Sequence, residues 1–456
     1  MSIGLGVWAF VAYLAVVIGW STLLKRSMPE AMLMGLLVVV LFNGPTQYFS
    51  TLFGAVSSAV REETFVATLM FVLMAAIMTK TGIINQLVDI LNSLVGRLRG
   101  GPAYVAVLGS ALFGLVSGNS VANAATIGAI TVPWMIESGW PKEVAATINA
   151  GNSGSGQSFP TSNAMFIMLA LPEVAALVTI DNFYLAMLTA GLWCVLYRLL
   201  VVRFFVYKHR VPALPADKIR PLGETLHDNW TSLLMFVSVI IPLVLTLSPL
   251  AGVLKATSFG ADGVKAISIV VWVPVLMCLI CMALGRKKLP QDMSGWGSLL
   301  KEVQGKVATV GGIFLFALSG SKVLSTVGFG DDFNALISQF TLPKAVMIIL
   351  VGIAVAIVAG PLSGVATTVA MGPVTFALLV SVGVPPIMAL ATFLVWMSTE
   401  GATPPGSSPI PISCGFAGVD QVGKTFKPLV LYYVLPVVTI GVLISLGILP
   451  IANGYL

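Results

Sequence analysis

The chain has 456 residues, of which 57% are hydrophobic and 9% charged, with a net charge of +6 and a mean hydropathy of +0.99. A soluble domain carries roughly 25% charged residues, so this composition excludes a water-soluble fold and indicates a polytopic membrane protein. Basic residues in such a chain orient its spans rather than recruit nucleic acid, and at roughly 20 apolar residues per span there is room for about ten spans.

The N-terminal run MSIGLGVWAFVAYLAVVIGWSTLLKR has no basic segment or small-residue cleavage site ahead of its apolar stretch, and Lys25 and Arg26 come after it. It is expected to be a retained span (about 5 to 24) with its N-terminus outside and its basic end in the cytoplasm. A short span (about 31 to 44) returns to Gly44 and Pro45, an outer segment carries Arg61, Glu62 and Glu63, and a third span (about 65 to 79) runs inward to Lys80. The following TGIINQLVDILNSLVGRLRGG has apolar residues at helical spacing and suits a helix lying in the inner interface.

Residues 103 to 136 cannot form a simple span, because SGNSVAN interrupts them. Two apolar arms joined by small polar residues predict a re-entrant helical hairpin that returns to the cytoplasm at Glu137, Lys142 and Glu143. The next segment, 143 to 172, is broken at GNSGSGQSFP, which predicts a discontinuous helix. A span at about 182 to 202 ends at Arg203, Lys208 and Arg210. The polar residues 206 to 228, with His209 and His227 expected to be solvated, read as a cytoplasmic linker between a first half (1 to 205) and a second (229 to 456).

The second half repeats the plan. Spans near 230 to 249 and 266 to 285 lead to Arg286, Lys287 and Lys288, an interfacial stretch reaches about 306, and a span at 307 to 323 precedes GFGDDFNALISQF outside. A second hairpin (about 344 to 379) and a second broken helix (about 383 to 412) follow. Gly128, Gly139, Pro141 and Pro160 are matched by Gly372, Gly383, Pro385 and Pro404 at a constant offset of 244 positions. Four helix-breaking residues at one offset indicate an internal duplication. An odd number of crossings per half makes the repeats inverted, so the expected fold is an all-α polytopic membrane protein with hairpin tips and helix breaks meeting at the midplane.

A broken helix offers N–H groups at one end and carbonyls at the other, favouring anions and cations respectively. Gly118, Gly154, Gly156, Gly364, Gly401 and Gly406 let backbone approach a ligand closely. Asn119, Ser120, Asn123, Thr126, Asn152, Ser153, Thr367, Thr368, Ser398, Thr399 and Thr403 supply neutral oxygens and donors, a set that fits sodium better than a transition metal. Glu400 is the single acid in the repeated core; it could ligate a cation, carry a proton or repel a wrong substrate. Neither core stretch contains an arginine or lysine, so anion binding is expected to rest on backbone N–H groups, side-chain donors and a bound cation. Cys278 and Cys281 form a C-x-x-C inside a predicted span, where small packing residues are the more economical reading. No nucleophile with a base, metal pair or paired carboxylates lies in the core, so an enzyme is not expected; a channel would not need two broken helices at a closed site.

The stretches VSGNSVANAATIGAITVPWMIESGWPKEVAATINA, GQSFPTSNAMFIM, GVATTVAMGPVTFALLVSVGVPP and EGATPPGSSPIP, with MTKTGI, resemble the large membrane subunit of the tripartite ATP-independent periplasmic (TRAP) transporters, of the ion-transporter superfamily. That resemblance implies a sodium-coupled importer of small organic acids in the bacterial inner membrane, with sodium as coupling ion and no other cofactor, working by an elevator motion. It also implies a small four-span membrane subunit and a periplasmic substrate-binding protein. It assigns ion binding to Ser117, Gly118, Asn119, Ser120, Asn152, Gly154, Gly156, Ser363, Gly364, Ser398, Thr399 and Gly401. Asn123, Thr126, Ser153, Gln157, Thr161, Thr367, Thr368, Glu400 and Thr403 are expected to face substrate. A stand-alone ion- or proton-coupled carboxylate symporter of the same superfamily is the alternative.

Overall fold

A computed structural model describes residues 4–452 apart from 21–23, 25, 161, 170, 214–218, 248, 258–259, 261–262, 264–266, 268, 330, 333–334, 336–342, 361–363 and 406. All regular structure among these residues is helical. Helices α1 (Leu5–Ile18) and α2 (Met28–Val40) pack together and bury Phe10, Tyr13, Met32 and Leu36. They are followed by α3 (Tyr48–Arg61), α4 (Glu63–Thr81) and α5 (Ile83–Val95). The periodicity of α5 is realised: Ile83, Ile84, Leu87 and Val88 are buried while Asn85 and Asp89 face out.

Next come α6 (Gly101–Ser117) and α7 (Ser120–Glu137), which form a helical hairpin, then α8 (Lys142–Ser153), a 3-10 turn over Gly154–Ser158, α9 (Asn163–Leu169) and α10 (Pro172–Ala175). The centre of the chain holds α11 (Ile180–His209), α12 (Leu222–Asn229), α13 (Val237–Leu247), α14 (Pro249–Ala256), α15 (Ile269–Leu284) and α16 (Met293–Thr326). A second hairpin of α17 (Lys344–Ala359) and α18 (Gly364–Ser381) precedes α19 (Pro386–Met397), α20 (Pro409–Ala417) and α21 (Val422–Ser445), the last containing a π-helical turn at Val430–Val434.

Four expectations change. Helix α16 is one helix of 34 residues, where an interfacial stretch to 306 and a separate span from 307 were expected. No proline or cap interrupts it, and exposed polar residues such as Lys301 and Glu302 do not stop backbone hydrogen bonding. Helix α11 runs past 205 to His209, because Lys208 and His209 complement the negative end of a helix. His209 is therefore helical, packed edge-on to Phe205 with centroids 6.1 Å apart. Finally, among the described residues only α11, α16 and α21 are by themselves long and apolar enough to cross a bilayer. Other apolar helices, 10–17 residues long, fall short of the roughly 20 that a full crossing takes.

The local chemistry around the two broken helices is the same. Gly139 (φ 87) ends α7 and donates to Ile136 O, while the next N–H, on Trp140, reaches back to Met135 O. Gly383 (φ 78) ends α18 with the same two bonds, Gly383 N to Val380 O and Val384 N to Leu379 O. This double bond pattern needs a left-handed residue, which glycine adopts without a Cβ clash. Two residues on, Pro141 and Pro385 start α8 and α19, each 12 residues long. Both helices are buried on every side, over Ala145–Ser153 and Ala389–Met397.

Two groups of helices result. Helices α1, α2, α3, α4, α15 and α16 pack on one another. The hairpins, α8, α19, α20, α11 and α21 pack in a second group, in which α20 lies against both α7 and α8. Contacts from α9 and α10 to α4 and α16 join the groups.

Candidate functional site

Each break is where a buried helix loses its regular bonding. After α8 the chain winds into the 3-10 turn, and after α19 the N–H groups of Ser398, Thr399 and Glu400 bond three residues back, to Val395, Trp396 and Met397. The breaks lie directly against each other. A Cβ on Gly154 would overlap the carbonyl of Ser398, and one on Gly401 would overlap Ser153 Oγ. Here glycine is required by close approach.

Each hairpin tip closes on the breaks. Gly118 (φ 54) ends α6, and Asn119 caps α7 by accepting a bond from Ala122 N at 2.9 Å. Gly156 lies under this tip, its Cβ position 3.3 Å from Asn119 N, and Gly114 lies 2.8 Å from Gly156 Cα by the same measure. At the other tip, a Cβ on Gly364 would come within 2.6 Å of both Gln157 and Glu400.

Glu400 joins these pieces. Its Oε1 accepts the N–H of Gly364, the first residue of α18, at 3.0 Å, and its Oε2 accepts Gln157 Nε2 at 3.2 Å. Ser120, the first residue of α7, also donates to it. The carboxylate thus sits at the N-termini of both inner hairpin helices, each worth about half a positive charge. That arrangement suits an acceptor-only, ionised carboxylate.

The hydroxyls of the breaks donate backwards. Ser153 bonds Ala150 O, Ser155 bonds Asn152 O, Thr399 bonds Trp396 O and Thr403 bonds Thr399 O, all at 2.7–2.9 Å. With its proton so used, a hydroxyl keeps its lone pairs for a cation or an incoming donor. Among the described residues no group of three His, Cys, Asp or Glu side chains could hold a transition metal. The four cysteines are buried and free.

Of the residues singled out in sequence, Ser120, Asn152, Ser153, Gly154, Gly156, Gln157, Gly364, Ser398, Thr399, Glu400, Gly401 and Thr403 gather at the two breaks and tips, all buried. Gly118 belongs to the same cluster, whereas Asn119 is exposed and engaged as a cap. Asn123 points into the hairpin instead, donating to Ser110 O at 2.9 Å, and Thr126 is half-buried on α7. Thr367 is buried on α18; Thr368 bonds Gly364 O and lines a small cavity of about 20 Å³ between the two helix groups, with Tyr13, Glu173, Leu324 and Pro373 on other walls. Thr161, Ser363 and Gly406 lie outside the described residues, as does the side chain of Ser117.

One member of the cluster was not expected. Arg198, on α11 and 1% exposed, donates to Ser155 Oγ and, at 3.3 Å, to Ser398 Oγ. It supplies the cation that both core stretches lack. Its signal in sequence is a lone basic residue within the apolar run 182 to 202. Asn149 is a second addition, donating to Ala124 O and to Ser413 Oγ and so tying α8 to α7 and α20.

Residues 7–446 match the family described as the DctM component of the tripartite ATP-independent periplasmic transporters. The chain belongs to that family. The C4-dicarboxylate TRAP transporter large permease protein DctM of Pseudomonas aeruginosa is 24% identical over 365 residues, 80% of each chain. The sialic acid TRAP transporter large permease protein SiaM of Vibrio cholerae is 26% identical over 230 residues, 49% of this chain and 52% of that one. In fold the chain is similar to the Alcanivorax borkumensis YdaH transporter, with a TM-score of 0.66 at 17% identity over 89% of each chain. The Neisseria gonorrhoeae MtrF structure is similar with a TM-score of 0.65 at 15% identity, covering 88% of this chain and 84% of that one. The chain is therefore an integral membrane protein, the large permease of a TRAP transporter.

Proposed function

We propose that this TRAP permease imports a small organic acid, a dicarboxylate, keto acid or sugar acid, across the bacterial inner membrane by coupling it to sodium. The observation that carries the reading is Glu400, a buried carboxyl set between the N-termini of α7 and α18 beside two packed helix breaks rich in hydroxyl oxygens. Fixed negative charge, helix carbonyl ends and neutral oxygens favour a hard cation. A bound cation in turn favours an anionic substrate. The two chain halves act as inverted repeats, and the helix group around the breaks moves past the group around α2 and α16 as an elevator, with the cavity at Thr368 between them. The named relatives that carry C4-dicarboxylates and sialic acid support an organic acid, and the family's tripartite description supports a small membrane subunit and a periplasmic binding protein as partners.

The test is uptake of labelled dicarboxylates, keto acids and sugar acids into proteoliposomes under a sodium gradient, a proton gradient or neither, with and without a binding protein and small subunit. Uptake that requires sodium and both partners supports the proposal. One observation favours a second reading: Glu400 is the only carboxylate among the buried described residues, so uptake by the chain alone under a proton gradient would make it a stand-alone symporter with Glu400 as proton carrier.

A further inference from the structure

Arg198 poses a physical problem that the transport reading does not address. A fully buried guanidinium needs a counter-charge, yet none of the salt bridges among the described residues includes it. Its hydrogen-bond partners are two neutral hydroxyls, Ser155 Oγ and Ser398 Oγ, one in each break. Ser155 passes its own proton to Asn152 O, in the last turn of α8, and Ser398 is the residue that caps α19. Both helices end here, their last carbonyls accepting short 3-10 and hydroxyl bonds, and each C-terminus is the negative end of a helix dipole, worth up to about half a charge. The two ends together supply the counter-charge.

We propose that Arg198 is a tethered cation that takes the place of one coupling ion at the joined C-terminal ends of α8 and α19. A sodium ion among those hydroxyls and carbonyls would neutralise the same two helix ends. A guanidinium anchored through α11 does so without being imported, so the carrier moves one ion fewer than a site lacking it. Arg198 is not among the residues that line the cavity at Thr368. It is a positioning residue for the breaks. The inference rests on the transporter reading, but its test does not.

The test is thermal stability of the purified full-length chain in detergent, titrated with sodium chloride, millimolar guanidinium chloride or choline chloride at matched ionic strength. Arg198→Ala is expected to melt below wild type in choline and to be restored by sodium or guanidinium, while wild type responds less to either. In proteoliposomes the sodium dependence of its uptake should steepen by one ion. Arg198→Lys, which keeps the charge, should behave as wild type and Arg198→Gln as Arg198→Ala. The inference is overturned if Arg198→Ala matches wild type, if neither cation restores it, or if Lys and Gln at this position behave alike. Should wild-type uptake ignore sodium, the coupling reading fails, yet cation rescue of Arg198→Ala would still support the tethered charge.

Discussion

Glu400 is the residue on which the site turns. Glu400→Gln keeps the shape but removes the charge and sets an NH2 donor against Gly364 N–H or Gln157 Nε2. A charged hydrogen bond contributes about 1.5–3 kcal/mol, so uptake is expected to fall at least about tenfold in protein that still reaches the membrane; unchanged uptake would remove Glu400 from the mechanism. Glycines divide by what faces them. Gly154→Ala must displace the Ser398 backbone and is expected to abolish transport, whereas Gly54→Ala, in open space on α3, should stabilise the helix by about 0.5–1 kcal/mol; parallel melting and uptake curves read both. Glu400 and the paired glycines are visible in sequence because an acid and helix breakers stand out against an apolar background. Arg198 shows only as a lone basic residue in an apolar run and Asn149 not at all, because their roles depend on partners 43 and 264 positions away that spacing alone does not join.

At the scale of elements, the matched starts of α8 and α19 follow from local chemistry, and each can be tested locally. Gly139→Ala and Gly383→Ala force an L residue to positive φ at a cost of roughly 1–2 kcal/mol each, and similar losses in melting temperature are expected at both. Loss at one only would argue against equivalent roles. The continuity of α16 was not legible, since its change from polar to apolar looks like a boundary and helical bonding does not depend on polarity. The α10–α16 contact has a pH signature. Burial pushes the Glu173 carboxyl above the usual carboxylate range, against the opposing pull of its own backbone hydrogen bond, Ser325 and Lys322. A raised folded value means the fold binds that proton more tightly than the unfolded chain, so its contribution is present at low pH and is lost as pH rises through the folded pKa. Glu173→Gln should therefore raise the melting temperature near neutral pH and change it little in acid; the reverse pattern would contradict the assignment.

For the molecule as a whole, there are two helix groups with a small cavity between them and two helix breaks packed within one group, and the proposed elevator motion would carry that second group past the first. The duplicated pattern of sequence extends to element lengths: α7 and α18 are both 18 residues long, and α8 and α19 both 12. Which residues face substrate is less legible, because neutral oxygens select a ligand by placement of a fraction of an ångström rather than by identity. The measurement that bears most directly on the account is initial uptake of an organic acid into proteoliposomes holding the complete transporter, for wild type, Glu400→Gln and Ser93→Ala, with an imposed sodium gradient and after its collapse. Ser93 lies on α5, where its hydroxyl donates to Ile90 O, away from the breaks. The account predicts sodium-driven uptake in wild type and Ser93→Ala that vanishes with the gradient, and little in Glu400→Gln under either condition. Uptake that ignores the sodium gradient and is equal in all three proteins would contradict it.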